Sequence, residues 1–189
     1  MRRVAGMITQ QDILGIDIGR VIIGPVDDDG RADTSFLSGT PDRAMQTPPA
    51  AGAFAAITRL AAAFDGAVWL VSKCGPGVQA KTRRWLDHWR FWATTGIAPA
   101  HLRFCRERRD KALHCHELGV THFIDDRLDV LEHLRNVVPE LYLFGHQKAR
   151  PPSWVTPVIT WPAVLAAVLP AGGPGAGPEA GCIAPAPRR

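Results

Sequence analysis

Short apolar segments alternate along the chain with longer segments of helical periodicity. The segments ILGID, AVWLVS, HLRFC, THFIDD and ELYLFG have the length and continuous hydrophobicity of buried strands. Between the first two, PPAAGAFAAITRLAAAF places Phe54, Ile57, Leu60 and Phe64 at helical spacing. Strands buried on both faces and joined by helices are typical of a parallel sheet. The pattern therefore predicts a three-layer α/β fold with helices on both faces of the sheet.

The other connections carry their own signals. GVQAKTRRWLDHWRFWATTG is predicted to form one helix that ends at Gly96 and has Trp85, Trp89 and Trp92 on one face. RDKALHCHELG and LDVLEHLRNVV are predicted helices, and VTPVITWPAVLAAVL a last strand followed by a helix. VIIGPVDDDGRADTSFLSG resembles a hairpin with a DDDG turn.

Length and composition indicate one folded domain. A chain of 189 residues with 46% hydrophobic and 21% charged residues is ordinary for one globular core. The last segment, rich in Gly, Pro and Ala, cannot build a core and is predicted to be disordered. We therefore expect a ragged N-terminus at 1–11, a domain at 12–169 and a tail at 170–189.

Charge and cysteine content indicate the kind of ligand and the cell compartment that would suit the protein, but they do not indicate a function. The 22 basic and 18 acidic residues give a net charge of +4, which suits an anionic ligand and is also common on a solvated surface. The four cysteines show neither zinc-site nor disulfide spacing, and no signal-peptide or membrane-length apolar segment is present. A reduced, cytoplasmic protein fits best, with no membrane partner.

Reactive side chains follow the predicted strands. Asp17 ends the first, Ser72 ends the second, and Asp125 and Asp126 end the strand THFIDD. Lys111 starts the helix before that last strand. Because carboxyl ends of parallel strands meet at one edge of the sheet, we expect these groups to converge within a few ångströms.

Such a set suits phosphoryl transfer through an aspartyl-phosphate. A carboxylate attacks phosphorus, a cation held by that carboxylate and the later acids neutralises the approach, and a hydroxyl and a lysine hold the transferred oxygens. Hard oxygen ligands are what Mg²⁺ prefers, so Mg²⁺ is the expected cofactor.

In the order of these elements over residues 12–168, the sequence resembles the haloacid dehalogenase-like hydrolases, especially small phosphatases related to 5′-deoxynucleotidases. The resemblance implies a three-layer Rossmann-like fold with a flap hairpin after the first strand and no large cap. It also implies roles for the strand-end residues, with THFIDDRLDVLEHL as the closest match. Asp17 would be the nucleophile and a metal ligand, Ser72 and Lys111 phosphate-binding residues, and Asp125 and Asp126 metal ligands.

The first motif departs from the family pattern Asp-x-Asp-Gly-Thr/Val. Gly19 replaces the second Asp, which protonates the leaving group, and Arg20 replaces the usual Gly. The Gly19 carbonyl could still ligate Mg²⁺, and Arg20 is a candidate phosphate contact. Three consequences stay open: a leaving group that needs no acid, a donor from the flap acids Asp27 to Asp29, or loss of turnover with binding retained.

Two further interpretations are weaker. GIDIG also opens the phosphate loop of sugar kinases and actin-like ATPases, but Arg20 and Val21 occupy the Gly-Thr positions and the chain is too short for their second domain. The tryptophan stripe beside basic residues could stack nucleic-acid bases, although tryptophans at helical spacing are more often core residues. A nucleic-acid partner is therefore not favoured.

Two hypotheses remain. The first is a Mg²⁺-dependent phosphohydrolase that acts on a small phosphorylated metabolite, with nucleotides among the candidates. The second is a catalytically silent protein of the same fold that binds a phosphorylated ligand or a protein partner. The sequence does not determine the oligomeric state.

Overall fold

A computed structural model describes residues 8–24 and 35–169 of the protein. The strands are β1 (Leu14–Ile16), β2 (Val68–Lys73), β3 (Leu102–Cys105), β4 (His122–Asp125), β5 (Glu140–Phe144) and β6 (Thr156–Val158). They form one sheet in the order β3-β2-β1-β4-β5-β6, and every neighbouring pair is parallel. The chain therefore leaves β1 first toward β2 and β3 and then crosses to β4, which puts the reversal of strand order beside β1.

Helices cover both faces of the sheet. They are α1 (Ser35–Ser38), α2 (Pro41–Met45), α3 (Ala53–Ala63), α4 (Pro76–His88), α5 (Phe91–Thr95), α6 (Lys111–Leu118), α7 (Leu128–Leu134) and α8 (Trp161–Val168). None of these described helices is both long enough and apolar enough to cross a membrane. The parallel sheet with helices on both faces confirms the predicted three-layer Rossmann-like α/β fold.

The two faces have separate cores because successive strand residues point in opposite directions. In β2, Leu70 packs with apolar residues of α3, α4, α5 and α8, whereas its neighbour Val71 packs with residues of α6 and α7. In β4, Ile124 and Phe123 divide in the same way. Each face of the sheet is therefore covered by its own set of helices.

One glycine of the LGIDIG segment is required by packing. Gly15 in β1 is paired with Phe123 in β4, and a Cβ at Gly15 would collide with the Phe123 ring. Any side chain at this position would push β1 away from β4, so Gly15 helps to keep the two strands, and the residues that follow them, side by side.

The single helix predicted over residues 77–96 is wrong, because the chain breaks it at Arg90. Arg90 has a φ of 55°, a left-handed conformation that cannot continue a right-handed helix, so α4 ends at His88 and α5 begins at Phe91. Gly96 ends α5 in the left-handed conformation, as predicted. Trp85 is fully buried and its indole N–H donates to the Thr47 carbonyl at 2.7 Å, which supports its interpretation as a core residue.

The segment predicted as a hairpin, residues 21–39, differs in the parts that the structure describes. Residues 21–24 form a turn in which Ile23 makes isolated bridges to Gly19 and Pro49, and Ser35–Ser38 is helical. The DDDG turn with Asp27 to Asp29 lies outside the described residues, as do positions 1–7 and the tail at 170–189.

Candidate active site

Two buried carboxylates lie side by side at the carboxyl edge of the sheet. Asp17 directly follows β1 and Asp125 is the last residue of β4, so the parallel pairing of these strands brings the side chains together. The Asp17 amide donates to the Ile124 carbonyl at 2.9 Å, which extends the pairing to the site itself. Asp17 is 7% exposed and Asp125 is 1% exposed.

Lys111, the first residue of α6, bridges these two carboxylates. Its Nζ donates to Asp17 Oδ1 at 2.6 Å and to Asp125 Oδ2 at 2.7 Å, and its side chain is almost completely buried. The backbone N–H of Arg127 donates to the other oxygen of Asp125 at 2.9 Å. The two acids are therefore held in fixed positions by a buried cation, as charge-assisted hydrogen bonds allow.

The pKa values follow from burial and from this close pairing. Burial by itself would lower the pKa of Lys111, but the facing Asp17 and Asp125 carboxylates outweigh it and raise that pKa above its usual range. Burial raises the pKa of Asp125 to about 6, with Lys111 opposing the rise and Asp17 adding to it. Lys111 is consequently charged at neutral pH.

Asp126 is the third carboxylate, and its partner is Arg20. The Arg20 guanidinium lies 2.5 Å from Asp126 Oδ2, and the Asp126 side chain is only 13% exposed. Burial, reinforced by the charges of Asp17 and Asp125, raises the pKa of Asp126 to about 7 even though Arg20 opposes the rise. Arg20 has a φ of 62°, the left-handed region that glycine adopts most easily.

We call Asp17, Asp125 and Asp126 the acid cluster. One carboxylate oxygen from each lies within 4.8 Å of the others, close enough to share one ion. Carboxylate oxygens are the preferred ligands of hard divalent cations such as Mg²⁺, which usually keeps several waters and needs few protein ligands. The donor set therefore fits such a cation.

A cavity of about 390 Å³ opens beside the acid cluster. All seven residues that the sequence analysis selected border it: Asp17, Gly19, Arg20, Ser72, Lys111, Asp125 and Asp126. The same cavity is also bordered by the apolar residues Ile23, Phe36, Leu37 and Val78 and by the threonines Thr47 and Thr82. The cavity lining thus combines charged groups with apolar side chains. The roles of the seven residues stay predictions.

The alternative lysine, Lys73, lies elsewhere in this cavity. Ser72, near the end of β2, is buried at the cavity wall, while the neighbouring Lys73 is exposed. Lys111 alone of the two has hydrogen bonds to Asp17 among the described residues. Lys111 is therefore the lysine that lies next to Asp17.

Comparison with known proteins gives information on the fold. No protein-family model matches the sequence, and no curated protein sequence matches it. A solved structure of a haloacid dehalogenase-like hydrolase from Burkholderia xenovorans LB400 is similar with a TM-score of 0.54 and 14% identity, over 82% of this chain and 95% of its own. A haloacid dehalogenase-like family hydrolase from Xanthomonas campestris gives 0.54 and 13%, over 87% and 97%. The chain has a haloacid dehalogenase-like fold.

Within this haloacid dehalogenase-like fold, the site has features that the sequence pattern does not predict. The contact of Arg20 with Asp126 joins residues far apart in sequence, and no local pattern predicts it. Phe36 belongs to the segment that was interpreted as a hairpin, so its place in the cavity wall was not foreseen. Thr47 is buried at the same wall, and its hydroxyl has no hydrogen-bond partner among the described residues.

Proposed function

We propose that the protein is a Mg²⁺-dependent phosphohydrolase that acts on a small phosphorylated metabolite through an aspartyl-phosphate formed on Asp17. Nucleotides are among the candidate substrates. The observation that carries the proposal is the convergence of Asp17, Lys111, Asp125 and Asp126 on one cavity. The similarity in fold to two haloacid dehalogenase-like hydrolases supports the same reaction class.

In the proposed reaction, an oxygen of Asp17 forms a bond to phosphorus while the bond from phosphorus to the leaving oxygen breaks. Lys111 donates to one oxygen of Asp17, and its positive charge would stabilise the phosphoryl oxygens of a substrate bound beside Asp17. Water then attacks the phosphorus of the aspartyl-phosphate, which releases phosphate and restores the Asp17 carboxylate. Ser72, which borders the cavity, would donate to a phosphoryl oxygen.

The acid cluster would hold the cation. When bound, Mg²⁺ supplies positive charge that offsets the repulsion between a phosphate dianion and the carboxylates. Asp125 and Asp126 would bind it together with Asp17, and the Gly19 carbonyl is the further ligand proposed from the sequence.

The leaving group must depart without a proton from residue 19, because Gly19 has no side chain to donate one. A phenolate or a phosphate leaves readily as an anion, whereas an alkoxide does not. The apolar residues in the cavity lining, Ile23, Phe36 and Val78 among them, would suit contact with an aromatic ring. These two features together favour an aryl ester or an anhydride over a simple alkyl ester.

The test is a comparison of phosphate esters that differ in the acidity of the leaving group. We expect Mg²⁺-dependent hydrolysis of an aryl phosphate such as p-nitrophenyl phosphate. The kcat/KM for an alkyl phosphate should be lower by at least about 10²-fold, because a general acid usually contributes a factor of this size to the departure of an alkoxide. Steady-state rates with excess EDTA and with added Mg²⁺ measure both dependences.

Equal rates on the aryl and alkyl esters would contradict acid-free cleavage. Activity that persists undiminished in EDTA would contradict the role of the cation.

A second prediction restores the missing acid. A Cβ at Gly19 would lie 3.9 Å from the nearest atom found around it, Asp17 Oδ2, which is an ordinary contact, so the backbone at residue 19 leaves room for the Cβ of Gly19→Asp. We expect this variant to hydrolyse alkyl phosphates about 10- to 100-fold faster than the wild type, with little gain on aryl phosphates.

Gly19→Asn is the matched control, because it has the same shape and no carboxylic proton. An equal gain in both variants, or a folded Gly19→Asp protein that is active on aryl esters without any gain on alkyl esters, would refute this interpretation of Gly19.

A catalytically silent binding protein is the second candidate function. The absence of a side chain at Gly19 and the ion pair between Arg20 and Asp126 favour it. It predicts that inorganic phosphate or vanadate binds in the cavity while no ester or anhydride of a broad panel is hydrolysed. Isothermal titration with vanadate beside the rate measurements separates the two candidates.

A further inference from the structure

Arg20 already occupies one oxygen of the acid cluster. Its guanidinium contacts Asp126 Oδ2 at 2.5 Å, and Asp126 is one of the three carboxylates that would hold a divalent ion. Arg20 also borders the cavity. A cation of the chain itself is therefore bound to a group that the proposed Mg²⁺ would also need.

The backbone indicates that this position is held at some cost. At a φ of 62°, a residue with a side chain is less favourable than glycine. The Arg20 amide donates to the Ile23 carbonyl at 3.1 Å, which closes the turn after Asp17 in this conformation. This backbone conformation favours glycine, so the arginine at position 20 departs from the local backbone preference.

Two basic side chains form ion pairs with the three carboxylates of the acid cluster. Lys111 contacts Asp17 and Asp125, and Arg20 contacts Asp126. The Lys111 side chain is 2% exposed and is bound on both sides, whereas the Arg20 side chain is 41% exposed. An incoming ion can displace the guanidinium into the open cavity far more easily than it can displace the buried ammonium group.

We infer that Arg20 competes with a divalent cation for Asp126 and is displaced from it when the ion binds. The inference rests on the proposed function, since it assigns a role toward the same ion. Arg20 lowers the affinity for the ion, both because it must be moved and because its charge repels the ion. Once it is released into the cavity, its guanidinium is free to contact a phosphate.

The test measures ion binding and not catalysis. Mn²⁺ is titrated into wild type and Arg20→Gln, with free Mn²⁺ followed by electron paramagnetic resonance, and Mg²⁺ binding is followed by calorimetry. We expect Arg20→Gln to bind Mn²⁺ about 10-fold more tightly than the wild type, and Arg20→Lys, which keeps the charge, to stay closer to the wild type.

Arg127→Gln is the matched control for charge alone. Arg127 also borders the cavity, but its side chain bonds to Asp129 and not to the acid cluster. We expect a change of no more than about 3-fold in this variant, as for a screened, partly exposed charge. An increase equal to that of Arg20→Gln would overturn the inference, because contact with Asp126 would then not matter.

A double-mutant cycle with Asp126→Asn tests the contact directly. In that background Arg20→Gln should no longer tighten Mn²⁺ binding, and a full gain there would overturn the inference. Unchanged or weaker binding by Arg20→Gln in the wild-type background would overturn it as well, as would the absence of Mn²⁺ binding in both proteins.

The outcome is separable from that of the proposed function. A gain in Mn²⁺ affinity without hydrolysis of any phosphate supports the role of Arg20 and refutes the phosphohydrolase. Binding by Arg20→Gln together with no binding by the wild type supports competition at Asp126 and counts against a Mg²⁺-dependent wild-type enzyme.

Discussion

The variant Asp17→Asn should lose hydrolysis of an aryl phosphate by on the order of 10⁴-fold or more in kcat, the scale of losses seen when a nucleophile is removed. The amide has the same shape as the carboxylate, but it cannot form an acyl phosphate and it removes one charge from the acid cluster. Rates at saturating substrate and Mg²⁺ measure the loss. In the wild type, rapid acid quenching followed by mass spectrometry should find a phosphoryl group on the peptide that contains Asp17.

Asp129→Asn is the matched control. Asp129 is an acid that pairs with Arg108 and Arg127 near the cavity and does not border it. We expect its activity to remain within a few-fold of the wild type. Asp17→Asn activity equal to that of the wild type, in a protein whose thermal unfolding shows that it is folded, would remove Asp17 from the role of nucleophile.

The largest effect on stability is expected from Lys111→Met. The methionine fills a similar space, but it leaves Asp17 and Asp125 facing each other without the ammonium group that contacts both. Removing one partner of a buried ion pair typically costs about 3–5 kcal/mol of unfolding free energy, because the remaining charge stays buried without compensation. Urea unfolding of the metal-free protein at pH 7 measures this loss, and hydrolysis should be lost with it.

The pH dependence of this loss has a defined sign. The pKa of Lys111 is raised from its ordinary value of 10.5, so its stabilising effect is fully present below that pH and disappears only at higher pH. In the variant, the pKa of Asp125, already about 6 with Lys111 beside it, rises further. As the pH falls through the pKa of Asp125, this carboxylate takes up a proton and no longer carries an uncompensated charge. The difference in unfolding free energy between variant and wild type should therefore be smaller at pH 5 than at pH 7.

Lys73→Met is the matched control for Lys111→Met. Lys73 borders the same cavity, but its side chain is exposed. Its loss should change the unfolding free energy by no more than about 0.5 kcal/mol, the usual range for a surface position. A similarly small effect of Lys111→Met would show that the buried bridge contributes nothing to stability.

Hydrophobic periodicity determined the class of fold. Segments such as AVWLVS and ELYLFG are too short for helices and continuously apolar, and a strand buried on both faces has this pattern. The helix α3 followed from the spacing of Phe54, Ile57, Leu60 and Phe64. Each of these signals is local, because it depends on which side of one element must avoid water.

The members of the candidate site were also selected from sequence, for a reason of topology. Asp17, Ser72 and Asp125 each lie at the end of an apolar segment, and parallel strands bring their carboxyl ends to one edge. Lys111 was selected by its place at the start of a helix. The order of the strands does not predict the contacts that each of these side chains makes.

Only the tertiary structure shows where the predicted helix breaks and which residues line the cavity. The apolar stripe of Trp85, Trp89 and Trp92 continues through Arg90, so periodicity could not show that this residue turns left-handed and divides the helix. The apolar residues of the cavity lining include Phe36, which reaches the site through a segment without strong periodicity.

The sequence by itself therefore determined a three-layer α/β fold and the residues at its functional edge. Only the tertiary structure decided how their charges are paired: Lys111 between Asp17 and Asp125, and Arg20 on Asp126. Local burial patterns report which face of an element avoids water, whereas ion pairs depend on distances between residues up to 106 positions apart, such as Arg20 and Asp126, that only the folded chain sets.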